Sequence, residues 1–574
     1  MVIFNYEPPA HCTAVSFDVR EIPFSRRGSW LDISPVIGLH ESSDDLHLVS
    51  HQSGMHAVLR FEPQRNGSRL PTTVESCPEL LRWMVDGEAV AEATFETTDS
   101  VRLRGRGSEL RIADATAVLT PFTGTYFFED PIDGSAVFTS YGTGRRYRVT
   151  RIAGELRFEG AESLGAGARA VVASGDWELV IEEFEAARAP YASRSSFDSL
   201  VAESARQFGD YLDAVAAWRS DRTPAAGLAA YVLWSATVEP RGFLRRESVL
   251  MSKHWMDKVW SWDHCFNALA LAPADAALAI DQFRVPFDYQ DDAGALPDSV
   301  THSEVLYNFV KPPIHGWALS RLRELVEIPI DELTEIYALI ARWTRFWLDY
   351  RRVPGHALAH YQHGNDSGWD NSTAFDLDRV LESPDLAAFL VVQLGVLADL
   401  ADELGLAADG WRDERVAQLE ALIGQLWDGE RFAGTGALSG TTSGTSSLLT
   451  LLPIVASEDL PDDITAKLAA GIAAHLTEFG LATQLPGTTE YESDGYWRGP
   501  IWAPSTVLVE NGLRRGGHTE LANQISERFR ALCERSGFAE NFDALTGEGL
   551  RDRAYTWTAS AYLTMAREAE QRRP

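Results

Sequence analysis

The stretch Tyr191-Ala-Ser-Arg-Ser-Ser196 separates two parts of the chain with different periods, and the fold is read from what lies on either side of it. Before it, apolar and polar residues alternate in short runs such as 46–61, 101–112, 147–152 and 170–184, divided by Gly, Asp, Asn and Pro turns. Period two in Val, Leu, Phe and Arg marks half-buried strands. Many short strands with no helical run between them predict a β-sandwich over 1–190. After the stretch, apolar residues return every three or four positions, as on the buried face of a helix. Helix starts are expected near Phe197, Ala225, Trp262, Ala274, Pro312, Asp331, Pro384, Asp409, Ser446, Asp462, Pro500, His518 and Tyr555, several opened by Pro or by an Asp or Ser cap. The first of these makes 191–223 a linker with a linker helix. The others show no fixed sequence repeat, which argues against a solenoid and predicts a ring of six inner helices inside six outer ones over 224–574.

The 574 residues exceed what one hydrophobic core supports, so two domains are expected. A composition of 45% apolar and 23% charged residues is that of an ordinary globular protein. A formal charge of −32 argues against a nucleic-acid or anionic-membrane partner, because phosphate neutralisation needs a basic surface. The start Met1-Val-Ile-Phe-Asn lacks a basic segment followed by an apolar one, and no run approaches the roughly 20 apolar residues that cross a bilayer, so the expected location is cytoplasmic. Cys12, Cys77, Cys265 and Cys533 are far apart without C-x-x-C spacing, which predicts free thiols.

The longest connections, 241–259, 291–311, 355–383, 432–445, 481–499 and 537–554, hold most of the Trp, Tyr, His and acidic residues, and long polar loops on a rigid scaffold are where chemistry is expected. Two acids stand out. Asp370 lies in Asn365-Asp-Ser-Gly-Trp-Asp-Asn-Ser-Thr, where Gly368 permits a tight turn and Trp369 supplies an apolar wall. Such a wall disfavours the ionised carboxylate and raises its pKa, as a general acid at neutral pH requires. Glu540 lies in Gly537-Phe-Ala-Glu-Asn-Phe-Asp-Ala-Leu-Thr-Gly, flanked by Phe538 and Phe542. By local pattern alone, Asp370 is equally a turn or N-cap ligand and Glu540 equally a surface or loop-bracing acid.

Trp260-Ser-Trp-Asp-His-Cys-Phe, Ser367-Gly-Trp-Asp-Asn-Ser, Gly495-Tyr-Trp-Arg-Gly-Pro-Ile-Trp and Glu540-Asn-Phe-Asp-Ala-Leu-Thr-Gly occur in the order and at the rough spacing seen in glycoside hydrolase family 63. The resemblance covers about 255–564. It implies an inverting (α/α)6 hydrolase with Asp370 as general acid and Glu540 as general base, acting on a small oligosaccharide or glycoside without a cofactor. It also implies that Asp263 binds hydroxyls of the sugar being cleaved, with Trp260, Trp262, Trp369, Trp497 and Arg498 lining the site. These residue types suit such a site, since a carboxylate accepts from vicinal hydroxyls, Arg offers a rigid donor fork, and indole faces cover the apolar side of a pyranose. Core packing is the rival role for Trp260 and Trp262, and a helix N-cap the rival for Asp263. An α-glucoside is the default substrate; the alternative is a solute of the mannosylglycerate or glucosylglycerate type. Trehalases carry Arg-Glu before Ser-Gly-Trp-Asp where this chain has Asn365-Asp366, which disfavours trehalose. Phe542 stands where the family often has Tyr, which removes a hydroxyl.

Weaker signals remain. Gln290 and Asp292, in the polar stretch 281–308, are candidate substrate contacts, and His363 beside the acid loop is a third. His356, His360 and His363 lack the Glu of a H-E-x-x-H motif, so no metal is expected. Gly434-Thr-Gly-Ala-Leu-Ser-Gly imitates a nucleotide loop but follows no strand of a βαβ unit. Two other classes are weighed: a glycoside phosphorylase, which needs phosphate ligands rather than a second carboxylate, and a sugar-binding protein, which needs neither acid. If Glu540 is not the base, Glu492, Asp494 or Glu304 is next.

Overall fold

The computed structural model describes residues 15–116, 124–161 and 168–573; Cys12 and the first residues of the chain lie outside them. The first part is antiparallel β structure. Its strands are β1 (Leu31–Gly38), β2 (Glu41–Ser50), β3 (His56–Arg65), β4 (Ser68–Arg69), β5 (Thr73–Cys77), β6 (Leu80–Val85), β7 (Glu88–Thr97), β8 (Ser100–Gly105), β9 (Glu109–Asp114), β10 (Thr125–Glu129), β11 (Ala136–Ser140), β12 (Arg146–Glu159) and β13 (Ala170–Phe184).

Where a sandwich of two sheets is expected, hydrogen bonding is continuous, and the sheet folds over on itself through β13. Ala170–Ala173 pair with β9 and Trp177–Glu182 with β8, while β12 follows the other edge along its length. The bend between the two halves falls at Gly175 (φ +80°) and Gly154 (φ +77°), where a side chain would be strained. A Cβ on Gly154 would also lie 2.8 Å from the Trp177 Cα. Phe61 on β3 and Trp83 on β6, far apart in strand order, meet edge to face at 5.9 Å, so the two arms enclose one core.

The second part is helical: α1 (Phe197–Val215), α2 (Ala226–Ala236), α3 (Asp263–Leu271), α4 (Ala276–Arg284), α5 (His315–Arg323), α6 (Ile330–Tyr350), α7 (Pro384–Glu403), α8 (Asp409–Leu426), α9 (Asp462–His475), α10 (Ala503–Arg515), α11 (Thr519–Ser536) and α12 (Thr556–Gln571). The sequence-based starts fall within three residues of these. The exception in type is Leu448–Ala456, a 3₁₀ helix that contains Pro453, whose missing N–H breaks the α pattern. Ser196 caps α1 by accepting from the Ser199 N–H at 3.2 Å, and Asp275 caps α4 by accepting from the Leu278 N–H at 3.0 Å.

Contacts between helices run α3 to α5, α5 to α7, α7 to the 3₁₀ helix, then to α10, α12 and back to α3, a closed cycle of six; α2, α4, α6, α8, α9 and α11 pack outside it. Helix α7 departs from the expectation that no segment has the length and hydropathy to span a membrane: it has both, and its residues are mostly buried because it stands between α5, α6, α8 and the 3₁₀ helix. The β part packs on α1 and α2, with Phe17 stacked on Tyr231 at 4.3 Å and the Tyr231 hydroxyl donating to the Pro23 carbonyl.

Candidate active site

The long loops are stitched to one another. Trp260 pairs with Ser299, Tyr361 with Leu381, Ser447 with Gln484, and Ile501 with Phe542. The acid loop starts with a 3₁₀ turn, Gly364–Ser367, capped by His363, whose Nδ1 accepts from the Asn365 N–H at 3.1 Å. Gly368 then takes φ +74°, and a Cβ there would lie 2.5 Å from the Trp262 ring; only glycine fits. The Asp366 carboxylate accepts from the N–H groups of Val310 and Gln362, at 3.1 and 2.8 Å, and from Arg351. Asn371 clamps the loop to its neighbour: its amide donates to the Gly495 carbonyl at 3.0 Å and accepts from the Trp497 N–H at 3.0 Å.

This frame leaves Asp370 facing Lys311, Asp298 and His363. Burial raises its pKa, Lys311 opposes the rise, and Asp298 adds to it. Lys311 is itself buried; its ammonium pairs with Asp298 at 3.0 Å and donates to the Asn365 carbonyl at 2.9 Å. Asp263, at the first position of α3 rather than its cap, is pushed up to about 8 by burial, with Lys311 opposing and Asp298 and Asp370 adding.

Glu540 enters from the opposite loop and is 2% exposed. Its N–H donates to the Asp552 carbonyl at 2.7 Å, the Thr558 hydroxyl bonds the Ala539 carbonyl, and Phe542 exchanges two hydrogen bonds with Ile501. The Glu540 carboxyl is pushed up to about 8 by burial and by the Asp552 charge, against Arg551 and a hydrogen bond from Tyr496, with Asp370 adding to the rise. Its Oε1, like the Asp263 Oδ2, has no partner among the described residues. The Asp370 charge thus adds to the rise in both Glu540 and Asp263, after the larger effect of burial. Tyr496 and Arg551 both sit at positive φ, +63° and +60°, the Arg551 guanidinium over the Tyr496 ring at 5.0 Å. Such strained positions persist only where neighbours hold them.

Indoles back the site. Trp369 meets Trp497 at 4.6 Å, Trp497 stacks on Trp502 at 4.0 Å, and Trp557 stands edge-on to both Trp502 and Trp262. Trp262, Trp369 and Trp497 are almost wholly buried, so they form a rigid wall, and Trp260 is more open. Three of the expected substrate contacts have protein partners or face solvent in this structure. The Gln290 amide donates to the Gly294 and Leu339 carbonyls, at 2.9 and 3.0 Å, and so braces its own loop. Asp292 is exposed. Arg498 donates through Nε to the Asn371 carbonyl and through Nη2 to Asp376, which makes it a strut between loops. His363 stays beside Asp370, stacked on Phe309 at 5.1 Å and 3.2 Å from Arg379. His356 turns instead to Glu382.

Sequence reasoning missed Lys311, Tyr496, Arg551 and Asp552. Tyr496 stood in a quoted motif and was the nearest to being found; the others carry no local signal.

Glycoside hydrolases are a class that works with a pair of carboxyls, one giving a proton to the bond that breaks and a second acting on the attacking side. The family model for the mannosylglycerate hydrolase MGH1-like glycoside hydrolase domain matches residues 256–558, more than half of the chain, and the chain belongs to that family of glycosidases. A mannosylglycerate hydrolase of Rubrobacter radiotolerans is 26% identical over 407 residues, 54% of this chain and 90% of the relative. The structure of a GH63 mannosylglycerate hydrolase from Thermus thermophilus in complex with Tris and D-glycerate aligns with a TM-score of 0.54 at 21% identity, over 59% of this chain and 98% of that one. A bacterial glucoamylase complexed with acarbose aligns over 98% of this chain and 96% of its own, with a TM-score of 0.58 at 10% identity. The last likeness extends the shared fold to the β part.

Proposed function

We propose that the chain is an inverting hydrolase of a small α-glycoside whose aglycone is an acid such as glycerate, of the mannosylglycerate or glucosylglycerate type, in place of the α-glucoside taken as the default. The helical cycle is read as an (α/α)6 toroid and the folded β sheet as its sandwich partner. The observation that carries the reading is the pair Asp370 and Glu540: a half-buried and a buried carboxyl from separate loops, both raised in pKa, with the Asp370 charge adding to the rise at Glu540. Asp370 holds the proton and passes it to the glycosidic oxygen as the bond breaks. Glu540 works as carboxylate, with Tyr496 and Arg551 favouring that form, and takes a proton from the water that attacks the anomeric carbon from the far side. The set is productive with one proton on the pair. Asp263 accepts from sugar hydroxyls, and Lys311 offsets the negative charge of Asp263, Asp298 and Asp370.

An acidic aglycone leaves on the Asp370 side, where Arg379 stands 3.2 Å from His363 and supplies positive charge on a protein of net −32. This favours the glycerate-type substrate over a neutral disaccharide. The test is turnover of mannosylglycerate, glucosylglycerate, maltose and trehalose followed by NMR, with and without phosphate. Glycerate release with a first-formed β-anomer, independent of phosphate, is expected. Preference for a neutral disaccharide refutes the aglycone, a retained anomer refutes the mechanism, and a glycosyl phosphate product refutes hydrolysis.

A further inference from the structure

Residues 252–258 lie between the β part and the Glu540 loop and have partners in both, with the rings of His254 and Trp255 stacked on each other at 5.5 Å. Toward the β part, Lys253 donates to the Ser29 carbonyl and the Ser25 hydroxyl, at 2.5 and 2.9 Å, just ahead of β1. Trp255 meets the ring of His40, at the turn between β1 and β2, edge-on at 4.7 Å. Asp257 pairs with His51 at 3.3 Å, and the other ring nitrogen of His51 lies 2.6 Å from Asp32. Toward the Glu540 loop, His254 Nδ1 is 3.1 Å from the Asp552 carboxylate. The ends of the segment are tied to each other by the Met251 N–H on the Lys258 carbonyl and the Ser252 N–H on the Met256 carbonyl, both at 3.0 Å, so the segment is a closed strap and not a free loop.

Asp552 is where the strap reaches the chemistry. Its backbone carbonyl receives the Glu540 N–H, and its carboxylate stands beside the Glu540 carboxyl. We propose that residues 252–258 are a strap through which the N-terminal β domain holds the general base in place, and that His254 is a positioning residue acting through Asp552. The proposal rests on Glu540 being that base. The groups facing the Glu540 carboxyl are Asp552, Arg551, Tyr496, Asp370 and Tyr555, and the charged group facing His254 is Asp552. Burial pushes the Asp552 carboxyl up, but His254 and Ser252 outweigh it and hold it ionised. Without His254 a buried Asp552 takes up a proton, its repulsion of Glu540 ends, and Glu540 ionises more readily.

The test uses the full chain and two readouts. His40→Gly removes the exposed ring contact at a positive-φ position, φ +58°, which glycine accepts without strain. Hydrogen exchange of the unliganded protein is expected to quicken about tenfold in 539–552 while 362–371 is unchanged. His254→Ala is expected to move the acidic limb of kcat/KM on mannosylglycerate or glucosylglycerate down by about one pH unit, and His254→Gln, which keeps a donor to Asp552, to restore most of it. Unchanged exchange in 539–552 overturns the strap whatever the substrate. An acidic limb that stays in place while kcat/KM falls equally at every pH overturns the role of His254. Quickened exchange with no turnover of either glycerate substrate leaves the strap standing and refutes the substrate reading alone.

Discussion

Replacing Lys311 by Met removes a cation that faces Asp263, Asp298 and Asp370 together. The ammonium is buried, and at 3.0 Å from Asp298 its attraction is roughly 5 kcal/mol at an effective dielectric of about 20. Breaking a buried pair by deleting one partner typically costs about 3–5 kcal/mol, since the remaining charge stays uncompensated. The variant escapes part of that cost by protonating a carboxyl. Lys311 has a raised folded pKa, so its contribution is present in full below the unfolded value and is lost only as pH rises through the folded one. Between pH 5 and 8 it is charged in both states, and the pH dependence comes from the acids. With one extra proton held by the folded variant, the stability gap from wild type narrows by about 1.4 kcal/mol for each unit of acidification, close to 4 kcal/mol from pH 8 to pH 5. Urea unfolding of both proteins at pH 5, 6.5 and 8 measures this. The alkaline limb of kcat/KM moves up as well, because Asp370 keeps its proton longer. A gap that does not change with pH, or an alkaline limb that stays in place, refutes the view that Lys311 sets the charge of these three acids.

Asp370→Asn and Glu540→Gln are expected to lose about 10² to 10⁴-fold in kcat with folding intact. Only Asp370→Asn is partly spared on a glycosyl fluoride, which needs little protonation, and azide restores turnover to Glu540→Ala as an inverted glycosyl azide. If Glu540→Ala keeps near wild-type turnover, it is not the base. Tyr496→Phe removes a hydrogen bond that favours ionised Glu540, so the acidic limb of kcat/KM moves up and kcat falls about tenfold or more, as for a hydrogen bond to a charged group of about 1.5–3 kcal/mol. An unmoved limb means that the hydroxyl does not reach the base. Gly368→Ala places a Cβ against the Trp262 ring at a left-handed φ and is expected to destabilise by at least about 1–3 kcal/mol in chemical denaturation; a change under half of that means the turn adapts.

Features that depend on neighbours a few residues away could be read from the order of amino acids alone. The Ser196 and Asp275 caps, Pro384 at the start of α7 and the switch of period at 191–196 are local, and the helix starts could be placed from them. Gly368 and Trp369 beside Asp370 are likewise local, which is why the acid loop was legible. Whatever depends on which distant groups meet had to wait for the folded chain. Asp370 takes its environment from Lys311, and Glu540 from Asp552 and Tyr496, through approaches of separate loops that no spacing encodes. Gln290 and Arg498 were expected near the sugar from the resemblance of their motifs. What each is bound to is decided by the fold, where the Gln290 amide donates to two backbone carbonyls and Arg498 to a carbonyl and an aspartate of another loop. The β part shows the same division: alternation gave strands, but whether they close as two sheets or one depends on bends at Gly154 and Gly175, which act only once β12 and β13 are paired.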